Sequence, residues 1–213
     1  MLKHVVIALL VCFGVALAHP HAEWLVEQAR QFERIDPSRA SIRGSVAHAR
    51  DPHRWCDGQI TDKYDDIIRK QAESLMPHDP YAYCKAKTVA FVESRLNPRA
   101  ISPVGAQSLF QMMPGTFKRF ASCRDAFDPN CNVKTGIKHL AYLQDFWYLD
   151  RTQDCRDNLV WASSNWGEGY VLRQQVVQGD ARCITPSWEL PDETRQHLRR
   201  INTTIKMRKL GVA

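Results

Sequence analysis

The stretch Glu93-Ser94-Arg95-Leu96-Asn97-Pro98-Arg99-Ala100-Ile101-Ser102-Pro103-Val104-Gly105-Ala106-Gln107-Ser108-Leu109-Phe110-Gln111-Met112-Met113-Pro114-Gly115-Thr116 decides how this chain is read. The residues before it, from about Tyr81, carry helical spacing with Tyr83, Val89, Ala90 and Val92 as core candidates. Glu93 closes that helix, just ahead of the turn-forming Asn97-Pro98. A carboxylate at such a helix end projects out of the core toward whatever cleft the next loop forms. Its neighbours Val89, Phe91 and Val92 remove water from it, and desolvation disfavours the charged form. A carboxyl group kept protonated near neutral pH can serve as a general acid. Position alone does not establish this, because a helix-end Glu is ordinarily a solvated surface residue.

Working outward, Tyr64, Ile67, Ile68, Ala72 and Leu75 recur at helical spacing upstream. Downstream, the spacing predicts a helix over about Gly105 to Met113, and another from Pro114 to Phe120. Asp128-Pro129-Asn130 caps a long helix running through Ile137, Leu140, Ala141, Leu143 and Phe146. Further helices are predicted over about 158–164, 168–178 and 192–209. Strand-like alternation is scarce, so the expected fold is mostly α, in one domain over residues 61–213. Residues 19–60 are polar and weakly patterned; beyond a short helix over about Glu23 to Phe32 they read as an N-terminal extension.

Composition sets the class. The 213 residues are 44% hydrophobic and 24% charged, which excludes a largely disordered chain, a collagen-like repeat and a polytopic membrane protein. Lys3 and His4 precede an apolar run from Val5 to Ala16, too short to span a bilayer comfortably. Ala16-Leu17-Ala18 fits a signal-peptide cleavage site, so residues 1–18 are expected to be removed. An uncleaved anchor is the rival reading. Leu9-Leu10-Val11-Cys12 is a poor lipoprotein signal, with bulky Phe13 following it. Cleavage would leave six cysteines: Cys56, Cys84, Cys123, Cys131, Cys155 and Cys183. An even count in an exported protein argues for disulfides, with Cys123–Cys131 the first pair expected. No C-x-x-C or H-x-x-x-H cluster favours zinc, and no cofactor motif is present. Loss of Lys3 lowers the formal charge from +6 to +5, which suits an anionic partner such as a cell wall rather than nucleic acid.

The quoted stretch resembles the soluble lytic transglycosylase family, whose pattern is roughly E-S-x-x-N-P-x-A-x-S-x-x-G-A-x-G-L-x-Q-x-M-P-x-T. Glu93, Ser94, Asn97, Pro98, Ala100, Ser102, Gly105, Ala106, Leu109, Gln111, Met113, Pro114 and Thr116 match; Ser108 stands where the family has Gly. Asp128-Pro129-Asn130, Gly136 and Tyr142-Leu143 resemble a second family block, in which Asn130 or Asn132 fills the Asn position. Residues 162–169 resemble A-x-Y-N-A-G-P-G through Asn165, Gly167 and Gly169, with Ser164, Trp166 and Glu168 as departures. Residues 190–197 resemble a block containing E-T-R-x-Y, with His197 in place of Tyr. The resemblance covers about residues 62–205 and implies a goose-lysozyme-like α fold, here stapled by disulfides.

It also implies an activity: cleavage of the β-1,4 bond between N-acetylmuramic acid and N-acetylglucosamine in peptidoglycan, with a 1,6-anhydro product. Carried over, Glu93 is the single acid/base, with Ser102, Gly105, Gln111, Met113 and Asn165 contacting substrate or the acid. Glu168 is an added carboxylate that could activate water; Asp125 and Asp128 are weaker candidates, and capping accounts for Asp128. Trp161, Trp166 and Trp188 are candidates for sugar stacking or for core. Two other functions stay open: a lysozyme-type muramidase using Glu93 and a second carboxylate, and a non-catalytic glycan-binding protein. The expected partners are glycan strands and, by family setting, a secretion, conjugation or phage assembly. The expected location is periplasmic or extracellular.

Overall fold

The structure, a computed structural model, describes residues 62–148, 152–179 and 182–209. The expectations for residues 1–60, including the signal peptide, Cys56 and the helix over 23–32, lie outside the described residues. After a 3-10 turn, Asp62–Tyr64, seven α-helices follow among the described residues: α1 (Asp65–Leu75), α2 (Ala82–Ser94), α3 (Pro114–Phe120), α4 (Pro129–Phe146), α5 (Gln153–Trp166), α6 (Glu168–Val177) and α7 (Asp192–Lys209).

Helix α2 runs through the centre, packed against α1 on one side and α7 on another. Every residue from Ala82 to Ala90 is buried. A helix buried all round need not be amphipathic, and α2 is not. Its two lysines are accommodated by pairing. Lys85 Nζ bridges Asp79 at 2.7 Å and Asp157 at 2.9 Å, while Lys87 Nζ meets Asp65 at 2.6 Å and the Tyr83 hydroxyl at 3.1 Å. Removing one partner of such a pair would leave an uncompensated buried charge.

The caps follow the sequence. Asp128 Oδ1 accepts from Cys131 N at 2.7 Å, with Pro129 in the first turn of α4. Thr152 caps α5 by accepting from Cys155 N. Gly167 ends α5 and opens α6 at φ 95°, a conformation that favours glycine. Helix α7 presents Thr194, His197, Leu198 and Ile201 inward, the i, i+3, i+4, i+7 stripe of a surface helix. Trp147, Trp161 and Trp188 are fully buried in the core, which answers the stacking question for Trp161 and Trp188. Cys123–Cys131 and Cys155–Cys183 are disulfides, and Cys84 is also disulfide-bonded.

One predicted element is absent. Residues 105–113 form no helix; they lie in a folded loop held by the bridges Ile101↔Gln107 and Gln107↔Met112. Ser108 at φ 65° and Gln111 at φ 44° are left-handed, which an α-helix of L-residues does not tolerate. The loop is held instead by its own bridges and by α4. Phe110 N donates to Asn132 Oδ1 at 2.9 Å, and Asn132 Nδ2 donates to Ala126 O at 3.0 Å, so of the two asparagines it is buried Asn132, not exposed Asn130, that ties the loop to α4. Phe110 then lies directly over Gly136, where an added Cβ would overlap its ring.

Candidate functional site

Helix α2 ends beside this loop. Arg95 (φ 52°) and Leu96 (φ 59°) are both left-handed, so the chain turns sharply away after Ser94. Ser94 Oγ donates to Ala90 O at 3.1 Å and to Leu109 O at 2.9 Å, tying the helix end to the loop. Of the four described non-glycine residues with positive φ, Arg95 and Gln111 line one cleft, while Leu96 and Ser108 are buried behind it. Backbone of this kind persists only where its surroundings hold it in place.

Glu93 stands in that cleft. The cleft has two lobes, of about 850 Å³ and 390 Å³, and Glu93, Ser102 and Gln111 line both. The larger lobe runs between the end of α2 and α7, past Phe91, Arg95, Arg199, Arg200, Thr203 and Thr204. The smaller passes Val104, Met112, Met113, Ser164, Asn165 and Glu193. Glu93 is 19% exposed. Burial, with a smaller contribution from the Glu193 carboxylate, pushes its pKa from 4.5 up to about 7, against the opposing pull of Arg200. His197 Nδ1 lies 3.5 Å from Glu93 Oε1. His197 is 5% exposed; burial and Arg200 push it down to about 4, so the imidazole beside Glu93 is neutral at pH 7.

The sequence-derived candidates divide into groups. Ser102 shapes the loop: its Oγ accepts from Ala106 N at 3.0 Å, and its N donates to Ala106 O at 2.9 Å. Gly105, at φ 88°, closes that turn. Gln111 Nε2 donates to Ser108 O at 2.8 Å and Ala100 O at 3.2 Å, bracing the loop from inside the cleft. Met113 is exposed on the wall of the smaller lobe. Asn165 Oδ1 accepts from Thr194 Oγ1 at 2.8 Å, and Asn165 lines the smaller lobe. Glu168 lines neither lobe. It accepts from Arg119 Nη1 at 2.8 Å and from the Tyr142 hydroxyl at 3.4 Å. Partial burial is the largest single influence and would raise its pKa, but the Arg119 hydrogen bond and charge, a backbone hydrogen bond and His139 together hold it below the ordinary value. Trp166 stacks on Tyr170 with ring centroids 5.4 Å apart.

Sequence reasoning missed Glu193, Arg199 and Arg200. Glu193 occupies the Glu of the block resembling E-T-R-x-Y, which was the available signal. The arginines belong to no quoted motif and gave none.

A family model, the transglycosylase SLT domain, matches residues 74–182. The chain belongs to this family. Curated relatives of this SLT-domain protein include membrane-bound lytic murein transglycosylase F of Pasteurella multocida, 29% identical over 110 residues, covering 49% of this chain and 20% of that protein. Soluble lytic murein transglycosylase of Escherichia coli is 28% identical over 115 residues, covering 50% of this chain and 16% of that one. The chain thus spans a fifth or less of either relative's length. Among solved structures, the 70 kDa soluble lytic transglycosylase of Escherichia coli aligns over 67% of this SLT-domain chain and 23% of its own, with a TM-score of 0.52 at 23% identity. That likeness establishes the fold, all-helical and lysozyme-like.

Proposed function

We propose that this protein is a peptidoglycan lytic transglycosylase with Glu93 as its single acid/base. The observation that carries the reading is a carboxyl raised to about pH 7 at the junction of two cleft lobes, inside an SLT domain. A glycan strand laid through both lobes would place a glycosidic oxygen beside Glu93. Protonated Glu93 donates to that oxygen as the bond to C1 breaks. The resulting carboxylate then takes the proton of the muramic acid C6 hydroxyl, which attacks C1 and closes the 1,6-anhydro ring. A pKa near 7 suits both steps, since neither protonation state is strongly disfavoured. The substrate's N-acetyl oxygen can assist at C1, so no nucleophilic carboxylate is required.

His197 supports the alternation. A neutral imidazole nitrogen can accept from the protonated acid or donate to the carboxylate, according to tautomer. Asn165, oriented by Thr194, offers donors to an acetamido oxygen in the smaller lobe. The muramidase alternative would draw its second carboxylate from Glu193, which lines the cleft, rather than from Glu168, which is held by Arg119. We place the activity outside the cytoplasm, supported by the disulfides.

The test is mass spectrometry of fragments released from purified peptidoglycan by the oxidised protein and by Glu93→Gln. Products lighter by one water than hydrolytic ones, absent with the variant, are expected. Reducing ends carrying added water would overturn the transglycosylase reading and turn attention to Glu193.

A further inference from the structure

The two lobes that meet at Glu93 differ in charge. The smaller has one charged side chain besides Glu93, the carboxylate of Glu193. The larger has three guanidiniums, Arg95 on one wall and Arg199 and Arg200 on the other, and no carboxylate but Glu93. None of the three is ion-paired among the described residues. Arg95 sits over the Phe91 ring at 5.9 Å, and Arg199 and Arg200 are exposed toward the cleft. Arg119, outside the cleft, is paired with Glu168. Arginines left unpaired on facing walls of one groove instead concentrate positive potential where an anion can enter. The groove also offers the Thr203 and Thr204 hydroxyls and the apolar surface of Phe91 and Val92, so it can hold more than a point charge.

We infer that the larger lobe is a carboxylate-recognition subsite, which orients the glycan by drawing the acidic substituent of a muramic acid residue between Arg95 and the Arg199–Arg200 pair. The inference rests on the proposed substrate. Along a glycan strand the N-acetyl groups are neutral, and the carboxylates are those borne on the muramic acid lactyl group. They come either from the acidic stem peptide or, in peptide-free strands, from the lactyl group itself. A planar guanidinium matches a carboxylate with two parallel hydrogen bonds. Repulsion from Glu193 would disfavour the same carboxylate in the smaller lobe, so the lobes together set one direction of binding.

The experiment measures binding by titration calorimetry to the full-length Glu93→Gln protein, which removes turnover from the readout. Three tetrasaccharides serve as probes: one with acidic stem peptides, one peptide-free with free lactyl carboxylates, and one peptide-free with those carboxylates converted to methylamides. At the few-fold gain typical of each exposed ion pair, several together predict about tenfold weaker binding of the methylamide. The difference should shrink in high salt as the charges are screened. Arg95→Gln with Arg199→Gln should remove the preference, and Arg199→Glu should reverse it; near-wild-type circular dichroism would show that each variant is folded. Preference for the peptide-bearing glycan alone identifies the stem peptide as the source, and equal preference for both acidic glycans identifies the lactyl carboxylate. Equal affinity for all three, or a preference that survives both variants, overturns the inference. Failure of the wild-type protein to release 1,6-anhydro products would instead sink the proposed reaction, and this binding test would still decide the subsite.

Discussion

Replacing Glu93 with Gln should make the protein more stable, by a margin that opens above about pH 4.5 and is complete above about pH 7. Folding holds Glu93 where its pKa rises from 4.5 to about 7, chiefly through desolvation. Between these values the native state binds a proton that the unfolded state has released. Stability therefore falls as pH rises through this window. The full difference, reached above the folded pKa, corresponds to about 3 kcal/mol at about 1.4 kcal/mol per pH unit. The side chain is only 19% exposed, so solvent screening takes little from this figure. Gln keeps the shape, carries no charge at any pH and escapes the penalty. The assay is urea denaturation with disulfides intact, comparing wild type and Glu93→Gln at pH 4, 6 and 8.

The difference between the two proteins is the proper readout, because His197 titrates over nearly the same range with the opposite sign. Its folded pKa is lowered to about 4, so it adds stability as pH rises. That contribution is common to both proteins and largely cancels. The variant should match wild type near pH 4 and exceed it by about 3 kcal/mol at pH 8. A difference that stays constant with pH would refute the claim that a desolvated carboxyl occupies the cleft. A variant less stable at pH 8 would show that the carboxylate is stabilised in place, which is incompatible with a general acid.

Activity should follow the same carboxyl: kcat/KM is expected to decline about tenfold per unit above pH 7, read from initial rates of glycan cleavage. Glu193→Gln should move that alkaline limb down and Arg200→Gln should move it up, since the two charges act on Glu93 with opposite signs; shifts in the reverse directions would contradict the assignment. Ser108→Gly should raise stability by about 1 kcal/mol in urea melts, because it relieves a left-handed serine and removes a buried hydroxyl without a partner. Gly136→Ala should cost about 3 kcal/mol or prevent folding, because the new Cβ would lie within 2.7 Å of Phe110 Cβ.

The helices were legible because their signals are local. Asp128-Pro129 caps α4, and the apolar stripe of α7 recurs with the helical period. The loop over 105–113 was misread for the same reason. Leu109, Phe110, Met112 and Met113 imitate helical spacing, but what fixes their backbone is non-local: Asn132 accepting from Phe110 N and Gly136 making room for the ring. Ser108 gave a hint. Where the family pattern has Gly, this chain keeps the left-handed backbone that a glycine would adopt without strain. Lys85 and Lys87 were invisible as core residues, since only the fold brings Asp79, Asp157 and Asp65 to them. Glu93 was legible through its motif, whereas its electrostatic partners were not.

Those partners all come from one helix. Glu193, His197 and Arg200 stand at successive turns of α7, roughly a hundred residues beyond Glu93, and reach it because α7 packs on α2. Glu193 raises the Glu93 pKa, Arg200 lowers it, and neutral His197 offers contact without charge. Because the two charges oppose each other, the net shift is left mainly to burial, and burial is set by how closely α7 seats against the end of α2. A change that loosens this helix pair, even one far from Glu93 in sequence, would admit water and return the carboxyl toward 4.5. The inward stripe of α7 therefore does two things at once: it closes the core and keeps the Glu93 pKa raised.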